Sequence, residues 1–201
     1  MRRFLEDKLG KDNLEKIESV KIGVAGCGGL GSNCAFNLVR SGFIRLKIVD
    51  FDILEESNLD RQFFFLDQVN MPKVNALEAN LKRINPEIQI EAIRKRLTSA
   101  NIVETFTDCD IVVEALDEAE RKSMAVSNLL NKVKFIVTAS GVAGFGNSDQ
   151  IKIRRIKKNL SLVGDLETGI DRAPPLSPKV NIVAAKQADI ILEYVLKGTV
   201  R

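Results

Sequence analysis

The chain of 201 residues contains no histidine. A Ser-His-Asp triad, a Cys-His pair and any histidine-ligated metal are therefore excluded. Cysteine is scarce: Cys27, Cys34 and Cys109 are the only three. No two of them are spaced C-x-x-C, which excludes a structural zinc of the usual spacing. An odd, scattered set of thiols points to a reducing compartment. Long apolar runs are missing too. The longest mostly apolar stretch, Phe135 to Gly146, is short and carries three glycines, too little to span a bilayer. Met1 to Gly10 alternates in charge around no apolar centre and does not read as a signal peptide. Neither sign of charge dominates. Lys and Arg number 30 against 27 Asp and Glu, a net charge of +3, too mild for a nucleic-acid or membrane-surface protein. Together these absences predict a soluble, cytoplasmic protein.

What is present is an ordinary globular mixture, 45% hydrophobic and 28% charged. A chain of this length buries roughly 70% of its unfolded surface and needs no staple. Residues 1–201 are expected to form one domain, because no linker, repeat or low-complexity tract interrupts them.

The hydrophobic spacing sets out an alternation of elements. Phe4, Leu5, Leu9, Leu14 and Ile17 predict one or two N-terminal helices. Lys21–Ala25 reads as a strand, Gly26–Gly31 as a turn, Leu30–Ser41 as a helix stopped by Gly42, and Leu46–Asp50 as a second strand. That order implies a parallel pair with a right-handed crossover. Residues 52–71 look irregular. Further helices are expected at Pro72–Ile84, Ser99–Phe106, Glu118–Asn131 and Lys179–Leu196. Strands are expected at Ile88–Arg94, Asp110–Leu116 and Phe135–Ser140, the second of them buried on both faces. Ile151–Ile156 alternates apolar and basic residues and suits a half-exposed antiparallel strand near an edge. Arg172–Pro178 reads as a proline-rich turn. The fold class is α/β: a Rossmann-like, mostly parallel sheet flanked by helices, with a short antiparallel extension.

The turn Gly26-Cys27-Gly28-Gly29-Leu30-Gly31 holds G-x-G-x-x-G between a strand and a helix. Glycines let the backbone approach a phosphate, and the helix start supplies N–H donors. Asp50 stands 19 residues after Gly31, at the end of the next strand, where a carboxylate can accept hydrogen bonds from ribose hydroxyls. The pattern in this setting indicates nucleotide binding rather than a bare tight turn. Alone, it suits an NAD-dependent oxidoreductase.

The following residues change that reading. Asp50-Phe51-Asp52 is succeeded by Ser57-Asn58-Leu59-Asp60-Arg61-Gln62, then by Pro72-Lys73, and the strand Ile111–Leu116 runs into Asp117. This ordered series resembles the ubiquitin-activating-enzyme-like superfamily of adenylyltransferases, whose bacterial members include the ThiF and MoeB proteins. The short length and missing C-x-x-C pairs look most like the zinc-free ThiF type. The resemblance implies Mg-ATP-dependent adenylation of the C-terminal glycine of a small ubiquitin-like sulfur carrier of the ThiS type, in thiamine biosynthesis. The alternatives are another carrier, in a molybdopterin or cysteine pathway, or a silent binding module. It implies that Gly26, Gly28, Gly29 and Gly31 form the nucleotide loop and that Asp50 holds the ribose. Asn58, Arg61, Gln62 and Lys73 sit against the phosphates, with Arg61 the main cation. Asp117 binds Mg²⁺, or caps the following helix. Asp52 contacts ATP or merely ends its strand. Phe63, Phe64 and Phe65 pack beneath this loop.

Some family features have no counterpart here. Many relatives carry a cysteine after the last strands, whereas this chain has none beyond Cys109. The expectation is therefore a product released as acyl-adenylate and a separate sulfur donor. Cys27 as nucleophile is disfavoured for want of an acid–base partner. A homodimer is implied by the resemblance only, and Arg2 and Arg3 do not match the usual N-terminal arginine motif. The basic run Lys152–Lys158 reads first as a solvated edge strand and second as a surface for an acidic carrier; nucleic acid is disfavoured. Asp171–Lys179 is a candidate flap over the carrier tail.

Overall fold

The computed structural model describes residues 1–169 and 172–198. Two amphipathic helices open the chain, α1 (Arg2–Leu9) and α2 (Lys11–Ser19). Then follow β1 (Lys21–Ala25), α3 (Gly29–Arg40), β2 (Arg45–Asp50), α4 (Lys73–Ile84), β3 (Gln89–Arg94), α5 (Ile102–Phe106), β4 (Ile111–Glu114), α6 (Ala119–Leu129), β5 (Phe135–Ala139), β6 (Lys152–Lys157), β7 (Leu160–Gly164) and α7 (Ser177–Lys197). The seven strands form one sheet in the order β3-β2-β1-β4-β5-β7-β6. All neighbours are parallel except β6 and β7.

Period-two alternation divides the core between the two faces of this sheet. Ile22, Val24, Ile48, Val113 and Val137 join α3, α4 and α7 on one side. Ala25, Val49, Val112 and Ile136 join α5 and α6 on the other. The strand order reverses direction between β1 and β4. In open sheets of this kind the crevice at the strands' C-terminal ends, at that switch point, is where ligands bind.

The expected elements are found with ends shifted by at most two residues. Two differences are larger. The helix foreseen from Ser99 begins at Ile102, because Asn101 Oδ1 accepts the Thr98 N–H and closes a turn there. The strand β7 was not foreseen. It lies between β5 and the edge strand β6, so β6 is antiparallel and outermost, as its alternation suggested. Phe64 is core, whereas Phe65 is 45% exposed and not a packing residue in the expected sense. Among the described residues no helix is long and apolar enough to cross a membrane.

At one end of β1 a charge cluster ties three strands to the loop before β4. Asp108 lies 2.6 Å from Lys21 and 2.5 Å from Lys47, and Lys47 is 3.2 Å from Glu91. Partial burial opposes ionisation of Asp108, but hydrogen bonds from the two lysines outweigh it and hold the carboxyl at about 2. Its folded value lies below its unfolded one, so its stabilisation is complete above about pH 4 and lost as pH falls through that value toward 2. Asp108→Asn is therefore expected to lower the melting temperature at pH 7, and the two proteins' curves should converge as pH falls toward 2. Parallel curves over that range would show that the cluster contributes nothing. The effect is modest and salt-sensitive, because the Asp108 side chain is 45% exposed.

Candidate active site

At the switch point the C-terminal ends of β1, β2 and β4 open into a cleft of about 900 Å³. Its lining includes Gly26, Gly28, Gly29, Asp50, Asp52, Asn58, Arg61, Gln62, Lys73 and Asp117. Ten of the eleven residues singled out from the sequence thus share one cavity. Gly31 is the exception, and its place is structural. A Cβ there would lie 1.8 Å from the Gly26 carbonyl oxygen, so this glycine lets α3 pack directly on the turn. Gly26 holds φ +100° and faces the Ala115 carbonyl. Helix α3 starts at Gly29 with no side-chain cap. Its first N–H groups, which lack intrahelical acceptors, and the positive end of its dipole are available to an anion.

Asp50 ends β2 and braces the loop. Its Oδ2 accepts the Cys27 N–H at 2.6 Å and its Oδ1 accepts the Asp52 N–H at 2.8 Å. Each oxygen keeps a second lone pair for a hydroxyl. Two cations approach from the irregular segment and α4. Lys73, the first residue of α4, is buried, and its ammonium meets Asp52 at 2.9 Å. Arg61 Nη1 donates to Asp60 at 2.7 Å and to the Ser57 carbonyl at 3.1 Å. The Arg61 backbone is pinned to α3, since Asn33 Nδ2 donates to both the Gly29 and Arg61 carbonyls. Gln62 is buried, and its Oε1 has no partner among the described residues. Asn58 Oδ1 accepts the Glu55 N–H and closes a 3-10 turn over Glu56–Asn58.

Asp117 is exposed on the wall. Its carboxylate accepts the adjacent Glu118 N–H at 3.0 Å. Glu118, not Asp117, occupies the N-cap of α6, so the capping alternative gives way. Among the described residues no group of three acidic, cysteine or histidine side chains could hold a metal by itself. Magnesium does not require one: it takes one or two carboxylates and completes its shell with phosphate and water. The oxygens of Asp117 fit that mode.

The thiols stand apart from this chemistry. Cys27, Cys34 and Cys109 are all buried. Burial pushes the Cys27 thiol well up, reinforced by Asp50, and raises Cys109 to about 12. A thiol held protonated in this way is a poor nucleophile. Arg2 is engaged on its own chain by Glu6 and Glu18. The flap candidate is fastened at both ends that can be described, Asp171 lying outside the described residues. Gly144 donates to the Pro174 carbonyl at 2.9 Å. Lys179 is buried with Asp165 at 3.1 Å, and Asp165 also takes the Glu167 and Thr168 N–H groups.

A model of the ThiF family matches residues 2–197. The chain belongs to the ThiF family. Among ThiF-family relatives it is 30% identical to the molybdopterin-synthase adenylyltransferase of Haemophilus influenzae over 195 residues, 93% of this chain and 79% of that protein. It is 32% identical to ubiquitin-like modifier-activating enzyme 5 of Arabidopsis thaliana over 158 residues, 71% of this chain. It spans only 36% of that enzyme's length. In fold it superposes on E. coli tRNA N6-threonylcarbamoyladenosine dehydratase, TcdA, with a TM-score of 0.87 at 19% identity, covering 98% of this chain and 94% of that one. The same protein is known in complex with AMP and with ATP.

The ThiF-family motifs do not account for the whole wall. Arg96 stacks over the Phe51 ring at 3.9 Å, and Arg121 lies 5.6 Å from the same ring. Lys122 also lines the cleft and reaches back to Glu114, a fully buried carboxylate. The sequence shows a lone acid inside an otherwise apolar strand, but not that a lysine eight residues on would meet it.

Proposed function

We propose that this chain adenylates the C-terminal glycine carboxylate of a small ubiquitin-like sulfur carrier with ATP, releasing pyrophosphate. The reading is carried by one observation: a single cleft lined by the glycine turn, Asp50, Arg61, Lys73 and Asp117, with no histidine anywhere in the chain. Attack of a carboxylate oxygen on the α-phosphorus forms the acyl-phosphate bond and breaks the bond from Pα to the bridging oxygen, which leaves with pyrophosphate. The nucleophile is already ionised at neutral pH, so no general base is needed. What the reaction needs is alignment and neutralisation of two anions. The glycine turn and the start of α3 cradle phosphate, Asp50 accepts the ribose hydroxyls, and Asn58, Gln62, Arg61 and Lys73 face the phosphates. Asp117 would hold Mg²⁺, which when bound supplies further neutralising charge on the phosphates.

The favoured partner is a ThiS-type carrier serving thiamine synthesis, on the missing C-x-x-C pairs. A molybdopterin carrier is the second reading, favoured by the extent of the Haemophilus influenzae match. The buried thiols support release of the acyl-adenylate to a separate sulfur donor. A homodimer and a single domain over residues 1–201 belong to the same proposal.

The test is ATP–pyrophosphate exchange with each carrier and with a copy lacking its terminal Gly-Gly. Exchange that requires the intact C-terminus is expected, and the better carrier names the pathway. No exchange together with NADH binding would return the chain to the oxidoreductases.

A further inference from the structure

Strand β4 is apolar from Ile111 to Val113 and then ends in Glu114, which is buried. A carboxylate that deep is costly unless its oxygens are satisfied. Three groups satisfy it. The Leu116 N–H donates to Oε1 at 2.7 Å, the Thr138 hydroxyl to Oε2 at 2.5 Å, and the Lys122 ammonium lies 3.3 to 3.4 Å from both oxygens. Gln187 of α7 donates to the main-chain carbonyl of the same residue at 3.4 Å. Ends of β4 and β5, the first turn of α6 and the middle of α7 therefore converge on one residue.

Well-packed apolar residues often replace a buried ion pair at no loss of stability, so packing does not explain the acid. What the carboxylate holds is the bend after β4. Leu116, whose N–H it captures, immediately precedes Asp117, and Lys122 sets the first turn of α6 against the cleft wall. We infer that Glu114 is a positioning residue of the adenylation site, holding the Leu116–Glu118 bend so that Asp117 faces the triphosphate. The inference rests on the nucleotide reading above. Glu114 itself touches no substrate: it is sealed beneath the residues that do.

The experiment is calorimetric titration with ATP, once in EDTA and once with Mg²⁺, on the full chain. It compares wild type, the isosteric Glu114→Gln, and the apolar replacement Glu114→Leu/Lys122→Met. Mutating the partners of metal-binding groups commonly costs about 10- to 100-fold in metal affinity. Both variants are expected to lose at least about 10-fold of the Mg²⁺-dependent gain in ATP affinity. Glu114→Gln, which leaves the cleft lining intact, should keep near wild-type affinity in EDTA, and the double replacement, which leaves no charge unpaired, should melt near wild type; a merely structural role would not produce that combination. A folded variant that keeps the full gain overturns the inference. A wild-type protein that binds no ATP under either condition overturns the nucleotide reading instead.

Discussion

Gly31→Ala is expected to lower the stability of this protein severely. The added Cβ would stand 1.8 Å from the Gly26 carbonyl oxygen and 2.9 Å from its carbon. Both atoms are backbone, so no side chain can swing aside. Helix α3 and the glycine turn would have to part by roughly an ångström, in an interior packed as densely as a crystal. Overpacking usually costs about 1–3 kcal/mol, and a backbone-on-backbone clash belongs at or above the upper end. For a chain of this size about 3 kcal/mol corresponds to a melting temperature lower by about 6–12 °C. ATP binding should fail with it, since the turn and the helix start are one unit. Gly28→Ala is the contrasting case. Its Cβ would meet nothing nearer than Gln62 Nε2 at 3.9 Å, and its φ is −75°. That variant should melt near wild type and still bind ATP poorly, because its methyl enters the cleft. Equal melting temperatures for the two variants would show that Gly31 is not a packing glycine.

Arg61→Ala and Lys73→Ala are expected to lower carrier-dependent pyrophosphate exchange by ~10²–10³, the usual loss for one donor aimed at developing transition-state charge. The two should differ in stability. Arg61 is held by its sequence neighbour Asp60 and by one carbonyl, and contacts of that kind at the surface contribute little. Arg61→Ala should melt near wild type. Lys73 is buried, and its removal leaves Asp52 without its partner. Lys73→Met, which keeps most of the packed stem, separates the charge from the packing. Near-full exchange in either alanine variant would remove that residue from the reaction.

Much of this arrangement can be read in the sequence, and the reason is local. The glycine turn, Asp50 and the strand–helix alternation follow from short-range chemistry: φ freedom, periodicity and the strand end. The series from Ser57 to Gln62, with Lys73 and Asp117, is legible only as an ordered motif, since each residue alone is an ordinary surface group. Strand β7 was hidden because Leu160–Gly164 has five residues and keeps Ser161 buried where alternation predicts exposure. Its pairing with β5 is a long-range fact. Glu114 was hidden for the same kind of reason. Its partners come from three other elements, Thr138 and Lys122 on the carboxylate and Gln187 on the main-chain carbonyl, and a period cannot show such meetings.

The sealed thiols have a practical consequence. Since Cys27, Cys34 and Cys109 are all inside, the natural chain is its own blank for sulfhydryl labelling. Phe145 is 84% exposed on the loop whose Gly144 pairs with Pro175, a residue of the cleft wall. A cysteine placed there would take a fluorophore without first stripping native ones, and the dye would watch the mouth of the cleft as ATP and each proposed carrier are added.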